Sequence, residues 1–263
     1  VQKYPFVLIS SFESFHFSKP NPAFFAEMMA RMGWPEDPVL VVGNDLENDI
    51  RSATQLGLPT YLVLQPGTPL PVGEGSAPQN TRLRPTASGD LAGLLSWLDE
   101  TPFETLQPRY DEPSAILAVL RSTPAALNTM CDTLAPAILA RRPKPAEWSP
   151  SEILCHLRDV DNEVNLPRLK KVLQEDNPFI PGADADRWAE ERAYHQQNGL
   201  AALHRFSTSR QELIHLMEKM SPDDWGRPAR HAIFGPTNIK ELVTINASHD
   251  QIHIRQMVEA LRN

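Results

Sequence analysis

The 263 residues include 25 Lys+Arg against 33 Asp+Glu, for a formal net charge of -8, and 41% are hydrophobic. This length suits two domains of ordinary size, and the acidic balance argues against nucleic acid or an anionic membrane as the main partner. No apolar run reaches membrane-spanning length, no signal peptide opens the chain, and Cys131 and Cys155 alone make no disulfide framework, so a reducing cytoplasm is expected.

In chain order, Phe6-Val7-Leu8-Ile9 is a short apolar run that predicts a buried parallel strand delivering Ser10 and Ser11 at its C-terminal end. A helix is expected from about Ala23 to Met32, a second buried strand over Val39–Val42, a helix from Ile50 to Leu56 stopped by Gly57, and a third strand over Thr60–Leu64. Alternating elements of this length indicate an α/β layer with a parallel sheet. Gln65 to Ser88, rich in Pro, Gly, Thr and Ser, reads as a long loop, and Asp90–Leu98 as the last helix of the layer.

Within this layer a strand ending in Ser, then Lys19-Pro20, then a strand running into Gly43-Asn44-Asp45-Leu46-Glu47-Asn48-Asp49 resembles the haloacid dehalogenase-like phosphohydrolases. The resemblance implies that Ser10 or Ser11 and Lys19 hold phosphoryl oxygens, with Asp45 and Asp49 holding Mg²⁺. The chemistry is consistent, because a hard cation takes carboxylate oxygens and a lysine balances the charge on the transferring group. Asn44 stands where many members carry the first Asp. The family's nucleophilic aspartate, in a D-x-D motif upstream of the serine, has no counterpart, since no Asp precedes Asp37. A Mg-dependent phosphohydrolase therefore needs a missing N-terminal half, and no phosphatase activity is expected from this sequence.

The resemblance implies a partial haloacid dehalogenase-like domain over residues 1–103, and 104–112, crossed by Pro108, is expected to be a linker. From 113 onward the reading is all-α. Pro113–Arg121 and Ala125–Ala140 form a first helix or pair, broken or kinked at Pro124 and Pro136. Trp148-Ser149-Pro150-Ser151-Glu152 is a helix start, with Ser149 as N-cap, Pro150 at the first helical position and Glu152 closing a capping box. The helix runs to about Gln174. Asp176–Asp186 is read as loop and Ala189–Met220 as mostly helix with a weak point at Gly199. Ser221–Trp225 starts a turn, Arg227–Pro236 is a loop, and a last helix follows N-cap Thr237 to Leu261.

On that last helix Ile239, Leu242, Asn246, His249, His253, Met257 and Ala260 share one stripe, so His249 and His253 continue the core-facing line. At i, i+4 their Cα atoms lie roughly 6 Å apart along the axis, within reach of one ion. Such a pair by itself is equally compatible with satisfied core histidines. His156 falls on the apolar face of Ile153, Leu157, Val160 and Val164 of another helix, and three inward histidines on two helices make a facial set with an open position. Asp159 and Glu163, at i+3 and i+7 from His156, could orient a ligand or act as a base. Cys155 reads as a packed thiol, because its helical neighbour points elsewhere.

Trp148 to Leu157, the loop His231-Ala232-Ile233-Phe234-Gly235-Pro236 and Ser248 to His253 together resemble the DinB-like superfamily of four-helix metalloproteins over about residues 112–263. The family's metal triad maps onto His156, His249 and His253. Members include thiol-dependent S-transferases and a mycothiol-dependent isomerase. The resemblance implies a divalent Zn, Ni or Fe ion and a metal-dependent transferase or hydrolase acting on a small electrophilic or thiol-linked substrate, with a low-molecular-weight thiol as a candidate partner. A non-catalytic bundle stabilised by its metal or its histidines, alone or as a homodimer, is the alternative.

Overall fold

A computed structural model describes residues 5–65 and 84–262. The first layer holds helix α1 (Pro22–Arg31), strand β1 (Val41–Gly43), a π turn over Leu46–Arg51, α2 (Ser52–Leu56), β2 (Thr60–Val63), β3 (Ala87–Gly89) and α3 (Leu91–Glu100). The strands are parallel in the order β1-β2-β3. Local chemistry sets the ends: Asn21 accepts the Ala23 N–H at the start of α1, and Asp90 accepts the Gly93 N–H at the start of α3. α2 stops at Gly57, whose φ of 90° favours glycine and where an added Cβ would sit 1.7 Å from the Arg109 carbonyl oxygen.

Two expectations fail in this layer. Phe6–Ile9 forms no strand; Phe6, Val7 and Ile9 are exposed, and the run joins none of the described ladders. An apolar run becomes a buried strand only where a sheet edge pairs with its N–H and C=O groups, and among the described residues no strand pairs with this one. The loop read over Gln65–Ser88 lies mostly outside the described residues, and its end is β3. Strand β3 docks where the Thr60 N–H donates to Thr86 Oγ1 at 3.0 Å.

The segment after α3 is tied down. A 3-10 turn at Phe103–Leu106 buries Leu106, Val39 N–H donates to the Leu106 carbonyl at 3.2 Å, and Arg109 N–H donates to Gly57 O at 2.9 Å. Then follow α4 (Pro113–Cys131), α5 (Pro136–Leu139) and α6 (Pro150–Val160). A π turn at Asp161–Asn165 leads into α7 (Leu166–Gln174), followed by β4 (Phe179–Ile180), α8 (Trp188–Glu191), α9 (Gly199–Glu218), β5 (Pro228–His231), β6 (Gly235–Asn238) and α10 (Ile239–Arg262). The continuous α6–α7 rod, α4, α9 and α10 are the four rods of a helix bundle.

Pro124 does not break α4. Proline removes the N–H that the Leu120 carbonyl would receive, and the buried Arg210 Nη1 donates to that oxygen instead, at 3.1 Å. Pro167 likewise cannot donate to Glu163, and the helix passes through its π turn there. Gly199 is no weak point inside a helix. It opens α9 against Ser151, with Oγ only 2.6 Å from where a Cβ would be, and residues 192–198 are not α-helical. The loops read over 176–186 and 227–236 contain a small sheet, with β4 parallel to β5 and β5 antiparallel to β6. β4 has only two residues, and β5 alternates in burial through Ala229 and His231, neither of them a large apolar residue, so the sequence shows no period of two.

One buried apolar cluster runs from Phe24 and Met29 of α1 through Ile116 and Leu127 of α4 to Ile254 and Met257 of α10. Arg255 of α10 reaches the Trp34 carbonyl at 3.3 Å and Glu36 at 2.9 Å. Among the described residues no helix is long and apolar enough to cross a membrane.

Candidate metal centre

Two helix starts aim the histidines. At α6, Ser149 Oγ accepts the Glu152 N–H and Glu152 Oε2 accepts the Ser149 N–H at 2.8 Å, with Pro150 at the first helical position. The buried Glu152 carboxylate is held in turn by Arg142, whose Nε donates at 2.9 Å. His156 then points into the bundle, 1% exposed. At α10 the cap is Asn238 and not Thr237. Asn238 Oδ1 accepts the Glu241 N–H at 2.9 Å, while the β5–β6 ladder holds Thr237 opposite Ala229 and its hydroxyl donates to Glu241 at 2.7 Å. His253 is buried and His249 half-buried.

The three rings converge. His156 Nε2 lies 3.0 Å from His249 Nε2, which lies 3.1 Å from His253 Nε2, and all three ligand atoms fall within 4.8 Å of one another. Nitrogens about 2.1 Å from a shared ion, at angles between square and tetrahedral, sit about 3.0–3.4 Å apart. Protein donors alone do not satisfy this arrangement. A neutral ring nitrogen either donates one proton or offers one lone pair, yet His249 Nε2 faces two other nitrogens. His253 Nδ1 lies 2.9 Å from Gln256 Oε1, an acceptor, so the proton sits on Nδ1 and the Nε2 lone pair faces the centre. The donor set and its spacing fit one divalent transition ion.

Electrostatics keeps the set neutral. Burial, then the neighbouring His253 and His249, push His156 down to about 3. Burial, then His253 and Arg210, push His249 down to about 3, and burial lowers His253 as well. Trp148 covers one side, its ring 4.9 Å from that of His156 and stacked at 5.9 Å on that of His253.

The two carboxylates read as orienting or basic groups are held elsewhere. Asp159 receives Arg158 Nε at 2.6 Å, Arg192 Nη1 at 2.8 Å and the Tyr194 hydroxyl at 2.8 Å. Burial opposes its charge, but Arg158, Tyr194 and Arg192 hold it below the usual carboxylate range. Glu163 is exposed and takes a two-pronged bond from Arg192. Asp250 is buried in the core and bound by Arg210. Cys155 is a packed thiol, pushed up to about 11 chiefly by burial. His195, His204 and His215 are exposed, whereas His231 is buried in β5 with Nδ1 accepting from the Ile233 and Phe234 N–H groups.

In the α/β layer, Ser10, Ser11 and Lys19 line one groove of about 500 Å³, and all three are exposed. Lys19 Nζ donates to Asp49 Oδ1 at 2.6 Å, and the Asp45 N–H donates to Asp49 Oδ2 at 3.1 Å. Asp45 is occupied as an N-cap, accepting from Glu47 and Asn48. Both carboxylates that the resemblance gives to Mg²⁺ are therefore already bound by protein donors. Among the described residues the imidazole triad is the one cluster of three or more His, Cys, Asp or Glu spaced for an ion.

The sequence reading missed three contributors. Gln256 was detectable as an amide at i+3 from a ligand. Asp161 and Arg210 were detectable as charges on apolar stripes, Arg210 falling in line with Leu203, Phe206, Leu213 and Met217.

A family model described as DinB superfamily matches residues 119–257, just over half of the chain, and one described as HAD-hydrolase-like matches residues 16–76. No curated protein matches. Among solved structures the chain is similar to YfiT from Bacillus subtilis, which is described as a probable metal-dependent hydrolase with an unusual four-helix bundle topology. The TM-score is 0.53 at 18% identity, over 59% of this chain and 88% of that one, and the likeness is one of fold.

Proposed function

The chain belongs to the DinB superfamily, and on that premise we propose that His156, His249 and His253 hold one divalent transition-metal ion and that the protein is a metal-dependent hydrolase or transferase for a small molecule. The observation that carries this reading is the convergence of three imidazole Nε2 atoms, 3.0 and 3.1 Å apart across two helices. The residues' own roles follow. Gln256 keeps a proton on His253 Nδ1 and so leaves Nε2 available, and Trp148 screens one flank from water. Asp159 and Glu163 fix Arg192, whose guanidinium lies 4.0 Å over the Trp188 ring. When bound, the ion would supply a Lewis acid that lowers the pKa of a coordinated water or thiol.

A thiol-linked or electrophilic substrate is the narrower form of the proposal. It is motivated by the resemblance and by an imidazole set soft enough to accept thiolate on a transition ion. The test has two arms. Elemental analysis of purified protein is expected to give about one transition ion per chain, and His249→Ala to abolish it; unchanged metal content in the variant contradicts the ligand assignment. A panel of ester hydrolyses and thiol–electrophile pairs is then run on metal-loaded protein. Turnover that chelation removes supports catalysis, and inactivity across the panel points to an ion that only holds the bundle together.

A further inference from the structure

One side chain outside the triad touches all four rods of the bundle. Arg210 of α9 is fully buried, and each of its five N–H donors has an acceptor. Nε donates to Asp161 Oδ2 at 2.7 Å and Nη2 to Asp161 Oδ1 at 2.9 Å, on the π turn five residues beyond His156. Nη1 donates to Asp250 Oδ2 and Nη2 to Asp250 Oδ1 at 3.0 Å, on α10 between His249 and His253. The remaining Nη1 contact is the Leu120 carbonyl on α4, the oxygen that Pro124 leaves without an N–H. Asn165 Nδ2 holds Asp161 from behind at 2.9 Å, and the Phe206 ring packs 4.7 Å from the guanidinium carbon.

Resting on the metal reading above, we infer that Arg210 is the positioning residue of the site, the clamp that sets the distance between the helix of His156 and the helix of His249 and His253. The reasoning is geometric. The imidazoles come from two helices that share no backbone hydrogen bond, so their 3.0 Å approach depends on what fixes one helix against the other. Apolar burial is non-directional, whereas two bidentate carboxylate–guanidinium pairs on one planar fork fix orientation as well as distance. Asp161 still closes an α-helical turn, its N–H donating to the Leu157 carbonyl, so it stands at a fixed angle from His156 on the same helix. A buried ion triad is a poor route to stability alone, because apolar residues of the same volume often do as well. Its place here, with one carboxylate on each ligand-bearing helix, suits alignment.

Co(II) titration of the metal-free full chain, read by d–d absorption, tests this. Arg210→Lys keeps the charge and loses the fork. Its Co(II) affinity is expected to fall by about tenfold or more, as for other residues that orient ligands, with shifted bands and an unchanged far-ultraviolet circular dichroism spectrum. A folded Arg210→Lys protein with wild-type affinity and wild-type bands overturns the clamp. Should Arg210→Lys fail to fold, Asp161→Asn takes its place, since it keeps one acceptor for the fork; it is expected to shift the bands and weaken binding, and wild-type values again overturn the clamp. Failure of the wild type to bind Co(II) would instead overturn the metal reading, and the clamp with it.

Discussion

At the scale of single residues the triad carries its own pH signature. Burial first, then His253 and His249 for His156 and His253 and Arg210 for His249, push both rings down to about 3 in the folded chain against an ordinary 6.5. Between those values the unfolded chain binds more protons, so stability is full above about pH 6.5 and is lost as the pH falls toward about 3. The metal-free protein should therefore show a urea midpoint that drops between pH 7 and pH 5, a range in which ordinary carboxylates stay ionised. His249→Ala should flatten that slope, and a midpoint independent of pH over this range would contradict the buried, neutral assignment. These residues were legible in the sequence because each ligand lies on an apolar stripe. Gln256 and Arg210 were not read, although Arg210 occupies the inward line of α9, because a long cation on such a stripe usually snorkels to water.

At the scale of elements, helix starts and crossings place the rings. The Ser149–Glu152 box was readable from four letters, since its hydrogen bonds are local. What local pattern could not give was partner geometry: the continuous α4 depends on Arg210, ninety residues away, and the β4–β5–β6 sheet is made of fragments that pair across the chain. Gly199 shows the same limit, because its glycine matters only through Ser151 on α6. Gly199→Ala would gain up to about 1 kcal/mol in helix propensity but place a Cβ 2.9 Å from Ser151 Cα, and such overpacking costs about 1–3 kcal/mol. The backbone of α6 must then move. The expected result is a net loss of about 1 kcal/mol by chemical unfolding, with weaker metal retention because His156 rides on α6. A more stable variant would show that the α6–α9 crossing is loose.

At the scale of the whole molecule, the α/β layer and the bundle share a core. α1 packs on α4 and α10, and Arg255 binds the Trp34 carbonyl and Glu36 two residues beyond His253. The order of a parallel layer followed by a four-helix bundle was legible from period and punctuation. The absence of a strand at Phe6–Ile9 was not, since burial of an apolar run depends on what stands beside it. The same applies to Asp45 and Asp49: their motif was visible, but their engagement as a cap and with Lys19 was not. The account as a whole depends on three imidazoles sharing one ion. X-ray absorption at the zinc edge, on protein loaded with one equivalent of Zn(II), measures this directly. Three nitrogen scatterers at about 2.0–2.1 Å, with the outer-shell pattern of imidazole rings, are the predicted result. A shell made only of oxygen, or one containing a single imidazole, would contradict it.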